Sequence, residues 1–146
     1  MHSQPSEKIT IAGFIGPALV NTTPLVSAPV DMSKFQEALF VLCLGDMAAE
    51  TIDFKLQSSA TSGGAYTDIA GRAITQLAAS ATANDSKQVL INIKGDRVPT
   101  GSQFVRASAV TGGATGGQAC ILGIGLRPRF GPASDDKSAS VIQTVI

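Results

Sequence analysis

A chain of 146 residues with no net charge, 15% charged and 44% hydrophobic residues is long enough for one domain that hides roughly 70% of the surface its unfolded chain would expose. The lack of a basic excess removes the attraction on which binding to phosphate backbones or anionic lipid rests, so neither nucleic acid nor membrane is an expected partner. Low charge and a mean hydropathy of +0.23 also remove the self-repulsion that keeps solitary proteins apart, and predict that apolar surface meets other subunits.

Residues 1–17 begin with a polar stretch that lacks the basic lead, apolar run and cleavage site of a secretory signal; an N-terminal arm on a protein folding where it is made is expected. ALVNTTPLVSAPV at 18–30 mixes β-branched residues with Pro24 and Pro29, which cannot donate to a ladder, and predicts a peripheral strand. FQEALFVLCL at 35–44 turns continuously apolar, as in a strand covered on both faces and ended by Gly45 and Asp46, with a short helix as the competing reading. Its run at 38–44, the longest in the chain, is less than half of a membrane-spanning helix, which predicts a soluble protein.

The clearest alternation is at 51–57, where Ile52, Phe54 and Leu56 point one way and Thr51, Asp53, Lys55 and Gln57 the other. Residues 58–66 read as an exposed Ser/Thr/Gly loop, and 68–79 as a strand or bent edge segment. Val89, Ile91 and Ile93 mark a strand over 87–94 broken by Gly95 and Asp96, and a further strand follows over 103–110. At 118–126, Cys120, Leu122, Ile124 and Leu126 form one face; the small opposite face of Ala119, Ile121, Gly123 and Gly125 suits close approach by a strand or subunit. After a polar linker at 131–137, the apolar ending VIQTVI predicts a C-terminal arm that docks, for instance by adding a strand to a neighbour. Short strands between Gly, Pro and Ser clusters point to a β-sandwich or related barrel: an N-terminal arm at 1–17, a domain at 18–130 and a C-terminal linker and arm at 131–146.

Residues able to do chemistry are few. His2 is the only histidine, so no histidine-based triad or metal site can be assembled, and no cofactor or metal is expected. Asp46, Glu50 and Asp53 lack the spacing of a calcium loop and read as a solvated turn, while Asp135 and Asp136 read as solubilising. The glycine-rich stretch at 111–117 has no Gly-Lys-Ser/Thr ending and leads into a strand, which favours a mobile hairpin loop over a phosphate cradle. Cys43 and Cys120 lie in apolar runs and read as reduced core thiols in preference to a disulfide. Arg127, Pro128, Arg129 and Phe130 form the sharpest cluster, with both guanidiniums on one side of an extended chain, either free for a partner's carboxylates or simply solvated.

DMSKF at 31–35, ALFVLCLGDM at 38–47, IDFKLQSS at 52–59, QVLINIKGDRV at 88–98, FVRASAV at 104–110 and RPRFGPAS at 127–134 together resemble a family of tailed-bacteriophage head decoration, or cement, proteins. The resemblance spans most of the chain from Asp31 onward and rests on strand cores and turns. It implies an all-β, jelly-roll-type sandwich with extended arms, made in the host cytoplasm and placed on the outer capsid surface of the virion. It further implies a homotrimer that contacts the major capsid protein and stabilises it without catalysis. The residues expected to touch capsid or sister subunits are Arg127, Arg129, Phe130, Val141, Ile142, Val145 and Ile146. The rival readings are a tail or vertex component, a host-surface or glycan-binding module, and an enzyme on a cupin-like barrel. A single tyrosine and no tryptophan weigh against sugar stacking, and the single histidine weighs against the enzyme.

Overall fold

Alternating side chains become paired strands wherever a neighbour can close the backbone hydrogen bonds. The computed structural model describes residues 4–47, 50–80 and 83–145, with 52% of those residues in strand and 8% in helix. One helical turn, α1 (Pro5–Lys8), starts at Gln4, whose N–H donates to the Glu7 carboxylate at 2.7 Å. The strands that follow are β1 (Ile9–Val20), β2 (Leu25–Val26), β3 (Val30–Asp31), β4 (Phe35–Met47), β5 (Ile52–Ser59), β6 (Thr67–Ala73), β7 (Gln88–Lys94), β8 (Phe104–Thr111) and β9 (Gly117–Pro128). They form two antiparallel sheets, β1-β9-β4-β7 and β2-β8-β5-β6, with β3 also paired to β8. Among the described residues, no helix is long and apolar enough to cross a membrane.

The prolines act as the sequence indicates. β2 and β3 are two short pieces of one edge along β8, separated at Ala28 and Pro29. Ser27 keeps the ladder satisfied across that gap, since its N–H donates to the Ala107 carbonyl and its hydroxyl accepts from the Ala107 N–H, both at 3.0 Å. The strand expected to begin at Ala18 instead begins at Ile9. Residues 9–17, expected to belong to an arm, therefore pair with β9, because Ile9, Ile11 and Phe14 find partners in Leu126, Ile124 and Leu122.

The inner faces meet in one core. Ile52, Phe54 and Leu56 are buried as their alternation predicts, opposite Phe40, Leu42 and Ile121 of the other sheet. β9 turns its small face inward: a side chain at Gly123 would come within 2.9 Å of the Phe40 ring, and one at Gly125 within 2.6 Å of the Phe35 ring. The close approach expected of this face is thus made by phenylalanines of the chain's own β4.

Several local expectations change in detail. β4 is covered on one face only and runs through Gly45 and Asp46 to Met47 by a register shift after Leu44. Ser58 and Ser59 belong to β5 and are buried, leaving 60–66 as the loop. The bent edge at 68–79 is β6 followed by a bridge from Leu77 to Ile52. The glycine stretch at 112–116 joins β8 of one sheet to β9 of the other, so it crosses the sandwich and is not a hairpin.

Candidate assembly surface

Residues paired across antiparallel strands project to the same side, so the register fixes what each sheet shows to its surroundings. On the outer face of β1-β9-β4-β7, one row is Ile11, Ile124, Leu39 and Asn92, and the next is Phe14, Leu122, Val41 and Leu90. Below them stand Cys120, Cys43 and Gln88; above them Ile9, Leu126, Glu37 and Lys94 place charge only at the rim. Leu90 is 58% exposed, Ile9 and Leu19 are also exposed, and the central residues are half-buried. Strand spacing and rise give this face roughly 500 Å² in projection. The apolar rows take only part of that area, which is within the range of the largest apolar patch on a soluble monomer.

The outer face of the other sheet is built differently. Lys55 Nζ lies 2.6 Å from Asp68 Oδ2, Gln57 Nε2 donates to Asp68 Oδ1 at 2.9 Å, and Arg106 donates to Gln57 Oε1 at 3.0 and 3.1 Å. Arg106 also lies over the Tyr66 ring, 4.0 Å from its centre, and Gln76 donates to Asp53 at 2.7 Å. The hydrogen bond from Lys55, aided by Gln57, lowers the Asp68 carboxyl below the ordinary carboxylate value. This face is dressed for water.

The C-terminal segment runs beside the apolar face. Ala133 is buried in a 3₁₀ turn (Ala133–Asp136), Lys34 Nζ meets Asp136 at 2.7 Å, and the Ser138 N–H donates to the Ile11 carbonyl at 2.7 Å. That hydrogen bond to Asp136 raises the Lys34 ammonium above its usual value. Val141 is half-buried and closes a crevice of about 310 Å³ that Ile9, Ile11 and Ile124 also line. Ile142 and Val145 are bare at 97% and 86% exposed, no strand forms here, and Ile146 lies outside the described residues. The segment is therefore anchored on its own chain as far as Val141.

The arginine pair does not share one role. Arg127 has a φ of 52°, which breaks the extended alternation, and its guanidinium lies 3.3 Å from Glu37 at the rim of the apolar face. Arg129 Nε donates to the carbonyls of Met32 and Phe35 at 3.3 Å each, so this side chain is held by its own chain. Both guanidiniums do lie on one side, lining a cleft with Glu37 and Lys94, but neither stands free there, since Arg127 meets Glu37 and Arg129 is bonded to backbone carbonyls. Phe130 is 78% exposed.

The acidic residues also separate. Asp53 bonds Gln76, while Glu50 enters the glycine-rich crossing, where its carboxylate accepts the N–H groups of Thr115 and Gly116 at 3.0 Å each. Desolvation pushes the Glu50 carboxyl up, but bonds from the Thr111 hydroxyl and the N–H groups of Gly116, Thr115 and Gly113 outweigh it and leave it lowered. The backbone of that stretch does hold an anion, and the anion is Glu50 itself; a solvated turn does not describe this residue. Its partners lie 65 and 66 residues away, so no local pattern could reveal the contact. Asp136 is likewise tied to Lys34 and is not merely solubilising.

Cys43 and Cys120 are register partners on β4 and β9 and lie half-buried on the outer face, not in the core. Among the described residues no group of three histidine, cysteine or carboxylate side chains could hold a metal ion, and His2 lies outside them. No family model, curated protein or solved structure matches this chain.

Proposed function

We propose that this chain is a non-enzymatic virion structural protein that binds the outside of an assembled tailed-phage capsid and stabilises it by bridging capsid subunits. Its partners are the major capsid protein and sister copies in a homotrimer. The observation that carries the reading is the contrast between the two sheets: one outer face is covered by a polar network, the other is an apolar surface with charge only at its rim. A face of that kind is stabilised when a neighbour covers it. The bare Ile142 and Val145 add exposed apolar side chains on the C-terminal segment.

The jelly-roll form implied by the resemblance is supported by strand order. With β2 and β3 counted as one edge strand, the sheets run 1-8-3-6 and 2-7-4-5, an order that agrees with what a jelly roll would require. Many weak contacts held at lattice spacing act together at high effective concentration, so each face-to-lattice contact can be modest.

The test is quantitative mass spectrometry of purified virions of the phage that encodes the chain. A copy ratio to the major capsid protein near unity supports a lattice-wide cement protein. A ratio of a few per cent moves the chain to a tail or vertex, and its absence from the virion overturns the reading.

A further inference from the structure

We propose that Cys43 and Cys120 form a cross-strand dithiol that closes reversibly to a disulfide by exchange with low-molecular-weight disulfides. The two residues are directly opposed in the β4–β9 register, and both are half-buried on the same face of the sheet. The strand that would cover them on one side is displaced. β1 shifts register between Ile15 and Ala18, at Gly16 and Pro17, and no β1 residue pairs with Cys120. What remains is a cleft of about 200 Å³ lined by Pro17, Gly45, Gln118 and both cysteines, through which a small disulfide can reach the sulfurs.

The backbone sets how the bond would behave. Leu44 donates its N–H to the Lys87 carbonyl on the β7 side at 2.8 Å, so strand alternation turns the Cys43 N–H toward β9. Cys43 and Cys120 are then a hydrogen-bonded pair, with Cα atoms about 5.5 Å apart, inside the span a disulfide bridges. Directly opposed Cβ atoms sit about 4.5–5.5 Å apart, with hydrogen-bonded pairs at the wider end, whereas a disulfide holds them at about 3.5–4.5 Å. Closing the bond draws the strands together, and the resulting strain makes it easier to reduce than a structural disulfide.

The exchange balances. A thiolate of the pair attacks the small disulfide and releases one small thiol; the second cysteine then attacks the mixed disulfide and releases the other, so the protein is oxidised by two electrons and the reagent reduced by two. Burial, with Cys43 alongside, pushes the Cys120 thiol up, so the reaction runs faster at alkaline pH.

The experiment incubates the full chain with oxidised glutathione at mildly alkaline pH and reads intact mass and free thiols. The expected product is a folded chain with no intermolecular bond, lacking two hydrogens and both thiols, reopened by reduced glutathione; Cys43→Ser and Cys120→Ser each stop at a stable mixed disulfide. Phenylarsine oxide, which joins two thiols through arsenic with loss of one water, is expected to be retained by the wild-type chain and washed from either variant. A wild-type chain that accumulates only mixed disulfides, or that keeps both thiols while the unfolded chain loses them, overturns the proposal. Because the readout is made on the free protein, it is independent of whether the chain decorates a capsid.

Discussion

Leu90→Ser isolates the apolar outer face from the fold beneath it. Leu90 stands on the edge strand β7, in one row with Val41, Leu122 and Phe14, and is 58% exposed in the free chain. Complete burial of a leucine is worth about 1.5–3 kcal/mol, so a neighbour covering the exposed part gains about 1–2 kcal/mol from this side chain. Its loss weakens each face-to-lattice contact by about five- to thirtyfold. The part already buried contributes only about 1 kcal/mol to folding, a change of a few degrees in Tm for a domain of this size. The assay is co-sedimentation of purified chain with expanded heads over a concentration series, with thermal unfolding measured in parallel. Lys55→Ser serves as the control, since Lys55 lies on the polar outer face with a solvent-exposed partner in Asp68. The reasoning is refuted if Leu90→Ser binds heads like the parent chain, or if Lys55→Ser weakens binding as much.

Gly125→Ala places a methyl group 2.6 Å from the buried Phe35 ring and is expected to cost about 1–3 kcal/mol, read as a lowered denaturation midpoint. Ser58→Ala is expected to stabilise the chain by about 1 kcal/mol in the same measurement, because the Ser58 hydroxyl is buried between the sheets with no hydrogen-bond partner. Glu50 has a lowered carboxyl, so its contribution is present above the unfolded carboxylate value and is lost as pH falls through the folded one. Hydrogen-exchange protection of the Thr115 and Gly116 amides is expected to drop on acidification below pH ~4, and Glu50→Gln to lower it already at neutral pH.

Alternation within a strand can be read without knowing its neighbours, which is why β5, β7 and β8 lie where the sequence indicates. The register between strands cannot be read that way. β9 presents an apolar row of Cys120, Leu122, Ile124 and Leu126 and a smaller row of Ala119, Ile121, Gly123 and Gly125, and either could have been buried. The smaller row faces the core because Phe35 and Phe40 of β4 need the space its glycines leave. That choice turns the larger row outward and creates the candidate surface. For the same reason the two cysteines lie together on that surface although 77 positions separate them in sequence.

Of the residues expected at an interface, Arg129 is consumed within the chain and Val141 closes a crevice, while Phe130, Ile142 and Val145 stay exposed and Arg127 sits at the rim. The sequence by itself determined the all-β class, the strand cores and the scarcity of catalytic side chains, because these follow from short-range periodicity and composition. Only the tertiary structure decided which face of β9 is buried, that β1 begins at Ile9, and that Glu50 fills the glycine-rich crossing. Each of those depends on contacts between residues far apart in the chain, and no local pattern encodes the partner across the sandwich.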